Sequence, residues 1–433
     1  GFNILYNYFK KYRKSISLVI VAALYILLFG VYMWPYWTGA IIYEGGEIKP
    51  SARVKIPEYY YKAANYINEE KGEFKILSLP HQTGGVAYDW EDGGYIGSGD
   101  IIVSLISKPI LSPFDPDDEI VSPFLTVLFN LSNPLGLGDN MVKMLGLANI
   151  RYILIHNDVN YYINNPNPDL TVEKIKDILS SVKNINLEKS FGKLDFYKLN
   201  NDFFLPHIYI PTELIYTDKN IEDLQEVLGP NNYPLRSSVY FNSQVDNPNK
   251  NFLGNYSKSN DSPSILKFNS IPKITFVKIN PTKYKVKVEN TKEPYTLVFS
   301  ESFNKGWKAY IYNQPSTINH QLYDNITASY FNEEIKEGTH KNVFLDINTF
   351  ETLGKKPIPE DRHLIANGYA NSWVIMPEDS KGLEDYEIII EFWPQRLFYI
   401  GLTISTFTFL GCLCYLVYGL CMRKKRVKVK QVR

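Results

Sequence analysis

LFYIGLTISTFTFLGCLCYLVYGLCM, Leu397 to Met422, is a run of twenty-six residues without one charge. At about 1.5 Å of rise per residue, a helix of that length exceeds the roughly 30 Å hydrocarbon core of a bilayer. The competing reading is a buried core helix of a soluble protein. The flanks oppose it. Phe392, Trp393 and Tyr399 cluster around the start, where amphipathic rings suit the headgroup level. CMRKKRVKVKQVR follows the other end, with Arg423, Lys424, Lys425, Arg426, Lys428, Lys430 and Arg433 and no acid.

The front of the chain repeats the pattern. Lys10, Lys11, Arg13 and Lys14 precede an uncharged stretch from Ser15 to Tyr43, apolar between Ile16 and Trp34, with Trp34, Tyr36 and Trp37 at its far end. It is too long for a signal peptide, and PYWTGA is a poor cleavage site. Both basic flanks belong on the cytoplasmic side by the positive-inside rule. The expected order is a cytoplasmic basic segment (1–14), a transmembrane helix (15–37), an extracytoplasmic body (about 41–396), a transmembrane helix (397–422) and a cytoplasmic basic tail (423–433). The chain is a multi-pass plasma-membrane protein on this reading, and the lipid bilayer is its first partner.

Charge follows the same partition. The chain holds 46 basic and 46 acidic residues, but the terminal clusters take eleven of the basic ones, so the body carries 35 against 46. A nucleic-acid role for the tail is set aside, because the tail is tethered to a membrane helix. Cys412, Cys414 and Cys421 lie in or beside the second span, so no disulfide is expected in the body.

Within the body, IPEYYYKAANYINEEKGEFKILSLP reads as a helix with Tyr60, Ala63, Ala64 and Ile67 on one face, then a strand from Phe74 to Leu79. DNMVKMLGLANIRYILIHND repeats the arrangement, with a helix from about Asn140 and a buried strand Tyr152 to Ile155. A helix after Thr171, a plausible N-cap, and two strands joined near Phe191-Gly192 complete an α/β domain over 41–241. Asn242 to Ser264 is dense in Asn, Ser, Asp, Pro and Gly, and a linker is expected at 242–266. From there ITFVKI, KYKVKVEN, YTLVFSES and YEIIIEFW alternate at strand length, giving a β-sandwich-like domain over 267–393. The expected fold is thus a membrane protein with two transmembrane helices flanking an external α/β domain followed by a β-sandwich-like domain.

Familiar catalytic signatures are missing: there is no HExxH, GxSxG, GxxxxGK[ST] or CxxC, and the six histidines (81, 156, 207, 320, 340, 363) show no i, i+4 pair. No metal, cofactor or catalytic residue is assigned. DPDDE, Asp115 to Glu119, lacks EF-hand spacing and reads as a solvated turn. Asn130, Asn255, Asn260 and Asn325 begin N-x-[ST] triplets, which matter only if the host glycosylates. AYDWEDGGYIGSGD is more suggestive. Sugar sites combine an aromatic face with carboxylates that accept from hydroxyls, and Asp89, Trp90, Glu91, Asp92 and Tyr95 supply both. The bland alternative is an acidic surface loop anchored by one Trp.

YTLVFSESFNKGWKAYI, Tyr295 to Ile311, resembles the C-terminal external domain of the YfhO-like polytopic membrane proteins, bacterial and archaeal relatives of GT-C class glycosyltransferases. IKEGTHKNVFLDI, IIIEFWPQRLFYIGLTIS and MLGLANIRYILIHND stand in the same order as in that family. The insertion at Asn348 to Trp373 departs from it and looks closer to large arabinosyltransferase-like envelope enzymes. The resemblance implies transfer of a sugar from a polyprenyl-phosphate donor to a cell-envelope polysaccharide, with this region assisting acceptor binding. Family members carry many spans before this region, with the catalytic carboxylate in an early external loop. The chain is therefore expected to be the C-terminal portion of a longer protein, with no catalytic residue of its own. The alternative is a non-enzymatic membrane-anchored surface protein binding glycans or protein partners. A hydrolase using Asp89 with Glu91 or Asp92 ranks third, because sequence neighbours rarely stand opposed across a bond.

Overall fold

The computed structural model describes residues 26–41, 55–80, 86–91, 94–97, 99–111, 138–160, 171–217, 235–237, 239–242, 264–312, 322–341, 343 and 348–431. Residues 26–32 are helical and exposed, and helix α1 (Trp34–Thr38) follows, ended by Gly39 in the left-handed region. The remainder of the first expected span lies outside the described residues.

The N-terminal part is built around a mixed sheet. Helix α2 (Glu58–Glu69) buries Tyr60, Ala63, Ala64 and Ile67, the face its spacing predicts. It leads to strand β1 (Lys75–Leu79), the hairpin β2 (Val86–Tyr88) and β3 (Tyr95–Gly97), and the short β4 (Ile110–Leu111). Helix α3 (Gly138–Leu147) precedes β5 (Ile150–His156). Helix α4 (Val172–Ser181), capped by the Thr171 hydroxyl accepting from the Lys174 amide, precedes the hairpin β6 (Ile185–Phe191) and β7 (Leu194–Leu199). The strand order is β4-β1-β5-β7-β6, with β4, β1 and β5 parallel and β7 antiparallel to β5. Strand periodicity explains the layers. Ile153 and Ile155 join α3 and α4 in one core, while Tyr152 and Leu154 face the other way into the core under α2.

Strand pairing crosses the expected linker. Strands β8 (Ile208–Tyr209), β9 (Glu213–Thr217) and β10 (Val239–Asn242) follow the mixed sheet. Strand β11 (Ser264–Lys267), at the end of the expected linker, pairs back onto β9, and β10 runs parallel to β9 on its other side.

The C-terminal part contains β12 (Lys273–Asn280), β13 (Lys283–Glu289), β14 (Tyr295–Ser302), β15 (Trp307–Tyr312), β16 (Ile326–Tyr330), β17 (Ile335–Gly338), β18 (His363–Ala366), β19 (Ala370–Ile375) and β20 (Tyr386–Phe392). One sheet is ordered β15-β20-β13-β12-β17-β16; the other is β18-β19-β14-β8, so a strand from before the linker closes its edge. Alternation in KYKVKVE sets the first sheet's two faces. Tyr284, Val286 and Val288 enter the main core with Leu297, Phe299 and Trp373. Lys283 and Lys285 point the other way and meet Glu351 at 2.7 and 2.8 Å.

Strand β20 runs through Trp393 into helix α5 (Pro394–Gln431). The span Pro394–Gly419 has a mean hydropathy of 1.9 and none of its most apolar window is buried by protein. It is the one helix among the described residues long and apolar enough to cross a membrane. A wholly apolar, uncovered helix is stable in lipid and costly in water. Of the two expected flanking spans, the described residues show one candidate, near the C-terminus. The helix also starts three residues earlier than expected and continues through the basic tail to Gln431.

Candidate functional site

The stretch Ala87 to Asp100 rests on a buried acid–imidazole–acid cluster. His156, the last residue of β5, is 1% exposed. Its Nε2 lies 3.0 Å from Asp100 Oδ2, and its Nδ1 lies 3.6 Å from Asp158 Oδ1. Asp100 caps a short 3-10 turn by accepting from the Ile102 amide at 3.1 Å, and it also accepts from the Ser78 hydroxyl at 3.1 Å. Asp158 Oδ2 collects three donors: Tyr59 OH at 2.7 Å, Tyr60 OH at 3.0 Å and Trp90 Nε1–H at 2.9 Å.

The electrostatics follow from this crowding. Burial alone would lower the His156 pKa, but Asp100 foremost and then Asp158 overcome it and push it to about 10. Burial alone would raise both aspartates, and the imidazolium with the converging donors holds each below its ordinary value instead. Tyr60 and Tyr88 are driven up by burial and then by the neighbouring aspartates, so their hydroxyls remain donors. The cluster carries a net negative charge within the fold.

Aromatic rings are layered over it. Tyr88 stacks on His156 at 4.9 Å, and Trp90 stacks on Tyr95 at 5.4 Å. Tyr60 meets the Trp90 ring edge-on at 5.1 Å. The predicted site residues therefore separate. Trp90 is 6% exposed and packed on its neighbours. Tyr95 is half-buried, its hydroxyl donating to the Gly99 carbonyl at 3.0 Å. Asp89 is exposed, with Oδ1 accepting from Asn160 at 2.5 Å and its carbonyl accepting from Lys193 at 3.0 Å. Glu91 is exposed. Asp92 lies outside the described residues, as do Asp115 to Glu119, His81, Asn130, Asn255 and Asn260. No group of His, Cys, Asp and Glu among the described residues is arranged to hold a metal ion.

No family model matches the chain, and no curated protein matches its sequence. Among solved structures, the arabinofuranosyltransferase AftD from Mycobacteria is similar over 86% of this chain and 33% of its own, at 10% identity and a TM-score of 0.39. The C-terminal globular domain of an oligosaccharyltransferase from Archaeoglobus fulgidus matches over 34% of this chain and 100% of its own, at 12% identity and a TM-score of 0.21. This chain spans about a third of the length of the arabinofuranosyltransferase. Likenesses this loose carry nothing to the site.

His156 and its two aspartates are what sequence reasoning missed. The histidine reads as one of six scattered ones, and Asp100 lies far from it along the chain. The available signal was local: an ionisable His-x-Asp ending a run of buried aliphatic residues, IRYILIHND, where β5 has no room for unpaired charge.

Proposed function

We propose that residues about 41–396 form the extracytoplasmic, acceptor-binding part of an integral-membrane glycosyltransferase-like protein. It moves sugar from a polyprenyl-phosphate donor to a cell-envelope polysaccharide, with both ends of the chain cytoplasmic and the catalytic carboxylate outside this chain. The supporting observation is the junction between body and membrane helix. Strand β20 enters α5 with no flexible linker: the Trp393 amide donates to the Gly306 carbonyl at 2.8 Å, and Arg396 Nε meets Glu391 Oε1 at 2.7 Å. A body fixed in this way holds its surface at a set height above the bilayer, as an acceptor guide for a lipid-borne donor must. The YfhO-like sequence blocks agree with that role. The half-buried Tyr95 ring and the exposed Asp89 and Glu91 carboxylates are the groups the Trp90 loop can offer, and Trp90 itself is packed beneath them.

The test is transfer by the full protein in nanodiscs, from polyprenyl-phosphate sugars onto envelope glycan. Glu91→Gln with Tyr95→Ala is expected to raise the acceptor KM about tenfold, one or two contacts' worth, with kcat retained. An unchanged KM removes the loop from acceptor binding. Absence of transfer with every lipid-linked sugar favours the non-enzymatic glycan-binding alternative.

A further inference from the structure

A second feature is independent of the Trp90 loop. Where β14 ends and β15 begins, a cleft of about 270 Å³ opens between the turn and the end of β20. Its apolar wall is Phe303, Trp307 and Phe392, and its polar wall is Thr282, Glu301, Ser302 and Asn304. Trp307 and Phe392 are cross-strand partners with ring centroids 5.2 Å apart.

The polar groups are fixed yet have capacity to spare. Glu301 Oε1 lies 3.3 Å from His207 Nε2, and 29% of the side chain stays exposed. Asn304 is exposed, and its Oδ1 accepts from the Gly306 amide at 2.7 Å. Ser302 is exposed. Gly306 shapes the turn: a Cβ there would stand 2.6 Å from Phe392 Cε2 and 3.1 Å from Pro394 Cδ, so a larger residue would force the Phe392 ring or the turn to shift. The cleft thus sits two residues from the first residue of the membrane helix.

We propose that this cleft is a saccharide subsite holding one uncharged sugar unit of a glycan at the membrane surface. Its volume lies near the lower end of the roughly 300–1,000 Å³ typical of small-molecule sites, which suits a single ring. Trp307 and Phe392 supply apolar edges for C–H faces; Glu301 accepts from hydroxyls, and Asn304 and Ser302 donate. Burial would raise the Glu301 carboxyl, but Lys75 and then His207 outweigh it and hold it at about 2. A permanent anion in the wall disfavours a phosphate headgroup. The choice of glycan as ligand class rests on the function proposed above, while the existence of a site rests on the cleft.

The experiment is saturation-transfer NMR on the full protein in nanodiscs, with neutral pentose and hexose trisaccharides and their 1-phosphates as probes. Neutral probes are expected to bind, and Asn304→Ala to weaken them about tenfold, the worth of one good hydrogen bond. Ser302→Tyr, an exposed position whose new ring fills the cleft, is expected to abolish binding while the thermal unfolding midpoint holds. No transfer to any neutral probe, or equal transfer to wild type and both variants, overturns the site. Preference for the phosphorylated probes overturns it in favour of a headgroup pocket. A protein that binds neutral probes through this cleft but transfers no lipid-linked sugar keeps the site and overturns the enzymatic reading alone.

Discussion

Lys278 on β12 reaches Glu73, two residues before β1, with Nζ 2.7 Å from Glu73 Oε2 and the two side chains 15% and 8% exposed. The pair joins the α/β layers to the C-terminal sheets. Glu337 on β17, fully buried, accepts from the Glu73 amide at 2.7 Å, and His340 Nε2 lies 3.1 Å from Glu73 and 3.0 Å from Glu337. Burial would raise the Glu73 carboxyl, but Lys278 first and then His207 and His340 hold it below its ordinary value. The two halves are therefore clamped by charge as well as by apolar contact.

Removing the cation should expose the cost of that arrangement. Lys278→Ala removes the cation in direct contact with Glu73 while Glu73 and Glu337 stay buried, and breaking one side of a buried pair typically costs about 3–5 kcal/mol. Equilibrium urea unfolding of the detergent-solubilised protein is expected to show a loss of that order. A loss under about 1 kcal/mol, the range of surface pairs, would mean that water reaches the cluster.

Gly146 sets a second, purely steric prediction. It lies in α3, and a Cβ there would stand 1.7 Å from the Phe203 carbonyl oxygen and 2.8 Å from Leu235 Cδ2. Backbone cannot rotate aside as a side chain can. Gly146→Ala is expected to destabilise by about 3 kcal/mol or more, the upper range for overpacking, although alanine is the better helix former by about 1 kcal/mol. A rise in thermal midpoint would show that the helix sits further from Phe203.

How much of this was legible in the sequence varies with the range of the interaction. The apolar face of α2, the Thr171 cap and the Lys/Val alternation of β13 follow from local periodicity, and each stands where its spacing places it. Ile208 and Tyr209 closing a sheet with β14 could not be read, because a two-residue strand has no period. Trp90 beside three acids reads either as a sugar platform or as the anchor of an acidic surface loop, and local sequence does not decide between them. The burial of Trp90 follows from Asp158, sixty-eight residues away, accepting its indole N–H. The Gly306-Trp307 turn was conspicuous, but the cleft beside it needs Phe392 from the far end of the domain.

Asp158 gives a prediction of its own. Asp158→Ala strips the shared acceptor from the half-buried Tyr59 and from buried Tyr60 and Trp90, and a buried donor left unpaired costs about 1–3 kcal/mol. Faster backbone hydrogen exchange is expected across β2 and β3, with β13 and β20 unaffected. Equal acceleration everywhere would mark a global role instead.

The same cluster should make the Trp90 loop sensitive to pH, and the sign can be worked out. His156 is raised to about 10 in the fold, against about 6.5 unfolded. Its contribution is complete below about 6.5 and is lost as pH rises through the folded value. Asp100 and Asp158 are depressed below their ordinary value. Their contribution is present above about 3.9, the unfolded value, and is lost as pH falls through the folded one. The loop is then most firmly held between about pH 4 and 6.5. Hydrogen exchange of residues 86–97, corrected for intrinsic rates, is expected to show protection declining steadily from pH 6 to pH 10. His156→Gln removes the charge that titrates, so it should lower protection at pH 6 and flatten the profile above it. A wild-type profile already flat over that interval would mean that the imidazole is neutral in the fold, and the three-charge account of the loop would fail.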